Sequence, residues 1–195
     1  MEKIQLQDKR FKLYMPYKQI QQAVDNVAEK INADMKDVDT PIFLGVLTGS
    51  FMFLADLMKR IQVQCDVVFI RLASYEGTSS TGKVQQLLGL TKSVKGRTVV
   101  VVEDIVDTGT TISELHHILS EAGAKEIRIC TLLLKPNKYC GNLKIDYPAL
   151  EIPNDFIVGY GLDYNQLGRQ YKDIYVLDEE VDEEENLKRK SINVR

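Results

Sequence analysis

The sequence predicts an α/β fold with a mostly parallel central sheet, and three observations support this prediction. Short apolar segments rich in Val, Ile and Leu recur at 42–47, 65–72, 98–102 and 127–134. They lack the polar–apolar alternation of half-exposed strands and are typical of strands buried on both faces. Amphipathic helical segments lie between several of them, as in a parallel sheet flanked by helices. A chain of 195 residues is long enough for one domain with a full core.

Helical periodicity identifies the first two helices. Residues 17–33 are predicted to form a helix because apolar side chains recur three and four positions apart on one face. A strand over 42–47 follows, and Thr48-Gly49-Ser50 separates it from a second amphipathic helix. The apolar positions that define the helices are Ile20, Val24, Val27 and Ile31 in the first, and Leu54, Leu57, Met58 and Ile61 in the second.

The segment 74–96 interrupts this alternation. It is rich in Gly, Ser, Thr and Lys around a brief apolar patch at 84–90, and we expect a long excursion, with a hairpin as one form of it. Loops of this length in compact domains are often functional lids. A helix is then predicted over 112–119, with Gly123 as its stop signal. The later strands are predicted at 127–134, 156–161 and 174–177.

Composition and charge argue against several classes of function. The formal net charge of −3 gives no general reason to expect a nucleic-acid partner or an anionic membrane surface. The first ten residues lack the apolar core of a secretory signal, and no apolar segment is long enough to span a bilayer. Three cysteines at wide spacing argue against a disulfide framework. We therefore expect a cytoplasmic protein.

The most informative segment is 99–111, where an apolar strand ends in the adjacent carboxylates Glu103 and Asp104. Two hard carboxylates suit ribose hydroxyls or a hydrated Mg²⁺, although an isolated pair at a strand exit more often solvates or caps the chain. Asp107 and a Thr/Gly-rich turn follow, and then a helix begins, whose amides and dipole favour a phosphate. Because a carboxylate at Asp107 would repel a phosphate, we interpret it as a proton-transfer group. The residues of the turn are Thr108, Gly109, Thr110 and Thr111.

Three strand ends are expected to meet at one edge of the sheet. Ligands of parallel sheets bind beyond the carboxyl ends of the strands. The loops 48–50 and 103–111 follow two such ends, and Lys135 follows a third. The sequence therefore predicts a single site at this edge.

The segment Val-Val-Val-Val-Glu-Asp-Ile-Val-Asp-Thr-Gly-Thr-Thr at 99–111 resembles the phosphoribosyl pyrophosphate (PRPP) binding signature of the type I phosphoribosyltransferases. Its Glu-Asp-Ile-x-Asp form is similar to the hypoxanthine–guanine branch of that family. Other segments agree with this branch in order and spacing. Residues 45–57 resemble its pyrophosphate loop and the following helix, and Ser74-Tyr75 resembles the start of its flexible catalytic loop. Leu133-Leu134-Lys135 resembles the segment with its purine-reading lysine. Residues 152–164, together with Arg169, resemble its purine-binding hood.

The resemblance implies the type I phosphoribosyltransferase fold, in which helices flank a central, mostly parallel sheet and a small hood is added. The hood is expected from the N-terminal segment and about residues 140–172, so that residues 1–180 form one domain. The strongly charged residues 181–195 are expected to form a solvated tail. The implied reaction joins a purine base to PRPP and gives a nucleoside monophosphate and pyrophosphate. Catalysis would rest on positioning and electrostatic stabilisation, with Mg²⁺ on the leaving group.

The resemblance also implies roles on the PRPP side of the site. Glu103 and Asp104 would hold the ribose hydroxyls, partly through Mg²⁺, and Asp107 would exchange a proton with purine nitrogen 7. Ser74 and Tyr75 would close over the transition state as part of a lid. The implied PRPP and phosphate contacts are Glu103, Asp104, Ile105, Val106, Thr108, Gly109, Thr110, Thr111, Leu47, Thr48, Gly49, Ser50 and Arg169.

On the base side, Lys135 is implied to donate to the 6-oxo group and so to exclude 6-amino purines, although a lysine after a strand is more often a surface residue. Phe156 is implied to stack on the purine, with core packing as the alternative, and Ile157 to offer its backbone to the base edge. Asp163 would bind a second Mg²⁺ and favour a 2-amino group through its carbonyl. Arg169 would contact pyrophosphate, with a surface salt bridge as the alternative.

Thr48 departs from the family pattern. The hypoxanthine–guanine branch usually carries Lys or Arg at this position of the pyrophosphate loop. The backbone of residues 47–50 can still donate N–H groups, but the positive charge on this side is smaller. We therefore expect weaker binding of PRPP or pyrophosphate.

Two other functions share parts of this pattern. A PRPP-binding RNA-attenuation regulator resembles these enzymes in fold, but it needs a basic face for RNA. The mildly acidic chain, its Glu103-Asp104 pair and Lys135 count against that function. A xanthine-preferring phosphoribosyltransferase is also compatible, because hypoxanthine, guanine and xanthine all carry the 6-oxo group. We expect no nucleic-acid and no membrane partner, and the resemblance implies a homodimer or homotetramer.

Overall fold

The computed structural model describes residues 2–73 and 85–178 of the chain. These residues divide into two compact units, of which the first contains 2–20 and 155–178 and the second contains 21–154. Ser74 and Tyr75, predicted to begin the lid, and the predicted tail lie outside the described ranges. Within those ranges, no helix combines the length and the apolar character that crossing a bilayer requires.

The helices and strands alternate along most of the chain. In chain order they are β1 (Lys3–Leu6), β2 (Lys9–Met15), α1 (Tyr17–Met35), β3 (Ile42–Val46), α2 (Phe51–Met58), β4 (Asp66–Ala73), β5 (Gln85–Leu88), β6 (Thr98–Val106), α3 (Thr110–Glu121), β7 (Glu126–Leu134), β8 (Tyr147–Glu151), β9 (Ile157–Val158) and β10 (Ile174–Leu177).

The first unit is an antiparallel sheet in the order β1-β2-β10-β9. Its core contains Leu6, Phe11, Val158 and Tyr175, all of which are buried. Charged or polar residues alternate with apolar residues in β1 and β2, as expected of strands with one solvated face. This unit carries Phe156, Ile157 and Asp163, which are three of the four residues that were predicted to bind the purine.

The second unit is built on a sheet in the order β5-β4-β3-β6-β7-β8. The neighbours from β4 to β8 are parallel, and β5 joins β4 in the antiparallel direction. Helix α3 packs its apolar face on one side of the sheet, and Leu54 of α2 lies against Gly45 on the other. The predicted α/β architecture with a mostly parallel, helix-flanked sheet is confirmed.

Strand β6 extends beyond its neighbour β3. The pairing of β6 with β3 ends at Val102, whereas the pairing of β6 with β7 continues to Val106. The predicted end of this strand at Val102 is therefore wrong, because the long partner β7 keeps the backbone extended. Glu103 and Asp104 lie inside the strand, in its overhanging part, and not after it.

Other boundaries also differ from the sequence predictions. Helix α2 begins three residues before the predicted Leu54 and ends at Met58. The strand predicted over 156–161 shortens to β9, since Gly159 and Gly161 take positive φ angles of 95° and 100° and the chain turns. Strands β1, β2 and β8 were not predicted. Strand β8 contains Pro148, and a proline argues against a strand when only the sequence is considered. The strand lies at the edge of the sheet, where proline is tolerated.

The buried carboxylate of Asp178 connects β1 and β2 of the first unit to the chain that leaves β10. It lies 2.7 Å from Lys3 and 3.4 Å from Lys12. The hydrogen bond from Lys3 lowers the pKa of Asp178 below its ordinary value, although burial opposes this effect. The ionised carboxylate therefore stabilises the fold.

Asp178→Asn is expected to lower the free energy of unfolding by about 1 kcal/mol near neutral pH. Because the folded protein lowers the pKa of Asp178, this contribution is present above the ordinary pKa of about 3.9 and is lost as the pH falls through the lowered value. Urea unfolding of both proteins across this range measures the difference, with the exposed Asp37→Asn as the control. Equal stability of the wild type and Asp178→Asn near pH 7 would contradict this assignment.

Candidate active site

The overhang of β6 carries two buried carboxyl groups. Glu103 is 8% exposed and Asp104 is 9% exposed. Burial raises the pKa of Glu103 well above its ordinary value, and the charge and hydrogen bond of the Asp104 side chain raise it further. Oε2 of Glu103 has no hydrogen-bond partner among the described residues. Such a group is costly in a folded protein, and a ligand that brings hydroxyl donors or a cation would satisfy it.

The loop after β3 lies beside these carboxyl groups. Gly49 is so close to the carboxylate of Asp104 that any side chain at this position would overlap it. Ser50 is buried, and its hydroxyl donates to the carbonyl at the end of β3, 2.6 Å away. Thr48 is exposed, and the peptide bond between Leu47 and Thr48 is cis. The predicted pyrophosphate loop and the predicted ribose carboxylates are therefore brought together.

The turn between β6 and α3 has the features of a phosphate site. Gly109 precedes the helix with a φ of 90° and has no side-chain oxygen to cap the first turn. The ring of Tyr139 covers Gly109 and leaves no room for a side chain there. The hydroxyls of Thr108 and Thr110 lie 3.0 Å apart. A pocket of about 250 Å³, lined by residues 103–112, opens at this point, where the helix amides favour an anion.

Asp107 is held through one of its two oxygens. The Nζ atoms of Lys135 and Lys138 each lie 3.3 Å from Oδ2. Oδ1 is buried and has no hydrogen-bond partner among the described residues. The Lys135 side chain is 8% exposed, and its ammonium group pairs with this carboxylate. The predicted proton-transfer group, Asp107, thus lies beside Lys135, the predicted donor to the 6-oxo group. Oδ1 of Asp107 is not held by either lysine.

A turn after β7 aligns these lysines with the β6–α3 loop. The amide of Lys135 donates to the carbonyl of Val106 over 3.0 Å, and the amide of Cys140 donates to the carbonyl of Thr108 over 3.4 Å. The amide of Lys138 donates to the Lys135 carbonyl over 3.0 Å and closes a β-turn. The turn therefore follows the loop 106–109 along its length.

Lys138 and Tyr139 were missed in the sequence. The signal for Lys138 was present, since Lys-Pro-Asn-Lys places proline at the second position of a β-turn, where it is favoured. Such a turn brings its first and fourth residues close together. The contact with Asp107 also requires the register of β6 and β7, which the turn signature does not contain.

In the first unit, Phe156 and Ile157 lie at the edge of the sheet. Phe156 is 47% exposed and its ring lies edge-on to Tyr164, with centroids 5.9 Å apart. The Phe156 carbonyl accepts a hydrogen bond from the Leu177 amide, so the backbone groups of Ile157 point away from β10. Since β9 is the edge strand of this sheet, those groups face an open edge. Phe156 is not simply a core residue.

Asp163 and Arg169 pair with each other. Their side chains are 2.6 Å apart, and Arg169 also donates to the carbonyl of Gly161 over 2.8 Å. The second oxygen of Asp163 accepts the amide of Gln166 over 2.7 Å. In this structure Arg169 forms the salt bridge that was the alternative to a pyrophosphate contact.

The donor set for a divalent cation is small. The described residues contain no cluster of three or more His, Cys, Asp or Glu side chains that could hold a metal ion. Glu103 and Asp104 provide two adjacent carboxyl groups, one of them with an unsatisfied oxygen. Mg²⁺ is commonly held by one or two carboxylates while substrate oxygens and water complete its shell. The residues present fit such an ion.

The chain is similar in sequence and in structure to known phosphoribosyltransferases. The family model of the phosphoribosyl transferase domain matches residues 16–165. The hypoxanthine-guanine phosphoribosyltransferase of Streptococcus pneumoniae R6 is 40% identical over 162 residues, covering 81% of this chain and 90% of the relative. The hypoxanthine phosphoribosyltransferase of Escherichia coli K12 is 39% identical over 154 residues, covering 78% and 86%. A crystal structure of a Staphylococcus aureus hypoxanthine phosphoribosyltransferase superimposes with a TM-score of 0.81 at 34% identity, covering 87% of this chain and 92% of that one.

Glu103→Gln is expected to raise the free energy of unfolding by roughly 1–3 kcal/mol near neutral pH. The amide keeps the shape of the side chain and can donate to Asp104 without a second buried charge. Because the folded protein raises the pKa of Glu103, the penalty in the wild type appears only above the ordinary value of about 4.3. The two proteins should therefore converge in acid.

Urea unfolding of Glu103→Gln and wild type across this pH range measures the effect. Glu126→Gln is the control, since Glu126 is partly exposed and pairs with Arg128 at 2.8 Å. That change should alter stability by less than about 1 kcal/mol. A destabilised Glu103→Gln would show that the buried carboxyl is not a cost to the fold.

Proposed function

The chain belongs to the phosphoribosyltransferase family, and on this premise we propose that it acts in purine salvage by transferring the phosphoribosyl group of PRPP to hypoxanthine or guanine. The products are the nucleoside monophosphate of the base and pyrophosphate. The observation that carries this proposal is the grouping at Asp107. A carboxylate with one free oxygen lies beside a buried lysine and next to an uncapped helix N-terminus. These groups suit a purine nitrogen, a 6-oxo group and a 5′-phosphate, respectively.

Asp107 moves the proton of the reaction. The bond between the anomeric carbon and a purine nitrogen forms as the bond to pyrophosphate breaks. The proton of purine nitrogen 7 passes to Oδ1 of Asp107, the oxygen that no lysine holds. Lys135 donates to the 6-oxo group and so rejects a 6-amino purine, which would present donors to an ammonium.

The phosphate and sugar groups bind to the ends of β3 and β6. Amides at the start of α3 and the hydroxyls of the Thr108–Thr111 turn hold the 5′-phosphate. Glu103 and Asp104 hold the ribose hydroxyls, and backbone N–H groups of residues 47–50 bind pyrophosphate. Of this set, the phosphate-binding and ribose-binding residues are Glu103, Asp104, Ile105, Val106, Thr108, Gly109, Thr110 and Thr111.

Mg²⁺ is part of the proposal as the cofactor. When bound, it supplies positive charge that neutralises the leaving pyrophosphate. Glu103 and Asp104 are the residues that would hold it, and Asp163 would hold a second ion if its pair with Arg169 opened. The unsatisfied oxygen of Glu103 supports the first of these placements.

The proposal also keeps the roles that the family resemblance implies for four residues of the first unit. Phe156 stacks on the purine through its exposed face, and Ile157 offers its open-edge backbone to the base edge. The Asp163 carbonyl favours an exocyclic 2-amino group. Arg169 contacts pyrophosphate as it leaves Asp163. The roles of Ser74 and Tyr75 as the closing lid belong to the same proposal.

We also propose that the enzyme is cytoplasmic and forms homodimers or homotetramers. Cys65, Cys130 and Cys140 are all free thiols, as is usual in a reducing compartment. Phe51, Val67 and Phe69 are 39%, 44% and 38% exposed. Large apolar side chains of this kind are suited to an interface with a second copy of the chain.

Purified protein with PRPP and Mg²⁺ is expected to convert hypoxanthine or guanine, and not adenine, in a spectrophotometric assay that also includes xanthine. Asp107→Asn should fold and bind PRPP while kcat falls by about 10²-fold or more, because it removes the proton acceptor. Asp146→Asn, in a neighbouring segment of the same unit, is the control. Turnover of xanthine alone would reassign the substrate, and no turnover of any base would reject the proposal.

Thr48→Lys is expected to lower the KM for PRPP several-fold, since it adds a positive charge to an exposed position of the pyrophosphate loop. Gln22→Lys, which adds the same charge to an exposed position of α1, controls for net charge. Initial rates at varied PRPP concentration measure the effect, which should shrink at high salt. An unchanged KM for PRPP would show that the missing cation at position 48 does not weaken binding.

A further inference from the structure

Lys138 lies beside Asp107, and the proposed reaction assigns it no role. It is the fourth residue of the β-turn that begins at Lys135, and its side chain is 43% exposed. Its Nζ lies 3.3 Å from Oδ2 of Asp107, the same distance as the Nζ of Lys135. Two ammonium groups therefore meet at a single carboxylate oxygen.

The two lysines differ in what else they must do. Lys135 is buried and is the donor for the 6-oxo group under the proposed function. When the purine binds, its ammonium serves both the base and Asp107. Lys138 is half exposed, and among the described contacts its side chain binds Asp107 alone. It can therefore stay on Oδ2 while the purine binds and reacts.

We propose that Lys138 is a positioning residue of the transfer reaction: it holds Oδ2 of Asp107 so that Oδ1 stays directed at the purine while Lys135 binds the 6-oxo group. A carboxylate with one lysine on Oδ2 can turn about its χ2 angle, because that torsion is soft. A second lysine on the same oxygen opposes this rotation. This inference rests on the proposed function and concerns the same site.

A purely structural role does not explain Lys138. Ion pairs as exposed as this one contribute about 0–1 kcal/mol to stability. The turn itself is closed by the backbone bond from Lys138 to Lys135, which any non-proline residue at position 138 can make. The side chain is therefore free to be tested without loss of the turn.

Steady-state kinetics of Lys138→Met, Lys138→Arg and the control Lys144→Met test this proposal. Lys144 is 82% exposed and pairs with Asp146 at 3.1 Å, so its loss removes the same charge elsewhere in this unit. We expect Lys138→Met to lower kcat on the order of tenfold, with the KM for PRPP within about twofold of wild type. Lys138→Arg should retain most of kcat, and Lys144→Met should match the wild type.

Three results would overturn the proposal: a wild-type kcat in Lys138→Met, an equal loss in Lys138→Arg, or an equal loss in Lys144→Met. Each leaves the proposed function standing as long as the wild type turns over a 6-oxopurine. A wild type without such turnover rejects the function itself. In that case a crystal structure of Lys138→Met decides about Lys138, since an Asp107 carboxylate that remains in its wild-type orientation would overturn the positioning role and a rotated one would support it.

Discussion

The site depends on the unequal length of the two pairings made by β6. Pairing with β3 stops at Val102, and pairing with β7 continues to Val106. The overhanging backbone is extended and held on one side, while the loop after β3 approaches it on the other, with Gly49 against the Asp104 carboxylate. This difference in length creates a place where the carboxyl groups of a central strand meet a loop and a helix N-terminus. A strand that ended level with β3 would leave these groups in an ordinary turn.

The same arrangement buries carboxyl groups that are unfavourable for the stability of the fold. Glu103 has a raised pKa and an unsatisfied oxygen, and Asp107 has a buried oxygen without a partner. Both groups are satisfied by the proposed ligands, the first by hydroxyls or Mg²⁺ and the second by a purine nitrogen. Functional sites commonly retain such destabilising groups because their removal would abolish activity, even though it would improve stability. The buried Lys135 differs from these two carboxyl groups, since Asp107 already serves as its counter-ion.

Much of the fold and of the site could be predicted from the sequence, because both depend on local patterns. The apolar runs identify the parallel strands, and the Glu103–Thr111 segment identifies a strand, a turn and a helix in the right order. The end of β6 could not be predicted, since a strand's length depends on a partner that lies about thirty positions further along the chain. Strands β1 and β2 carry charged residues on a solvated face, so their apolar runs are short. Lys138 belongs to a recognisable turn, but its partner Asp107 follows from sheet register. The site roles of Ser74 and Tyr75 stay predictions.

The central claim is that Oδ2 of Asp107 binds the lysines, whereas Oδ1 accepts the proton of the purine. A crystal structure of the protein with the nucleoside monophosphate of hypoxanthine and pyrophosphate tests it most directly. We expect Oδ1 within hydrogen-bond distance of purine nitrogen 7, with Oδ2 still on Lys138 and the 6-oxo group on Lys135. Nitrogen 7 on Oδ2, or a purine that does not contact Asp107, would contradict this assignment.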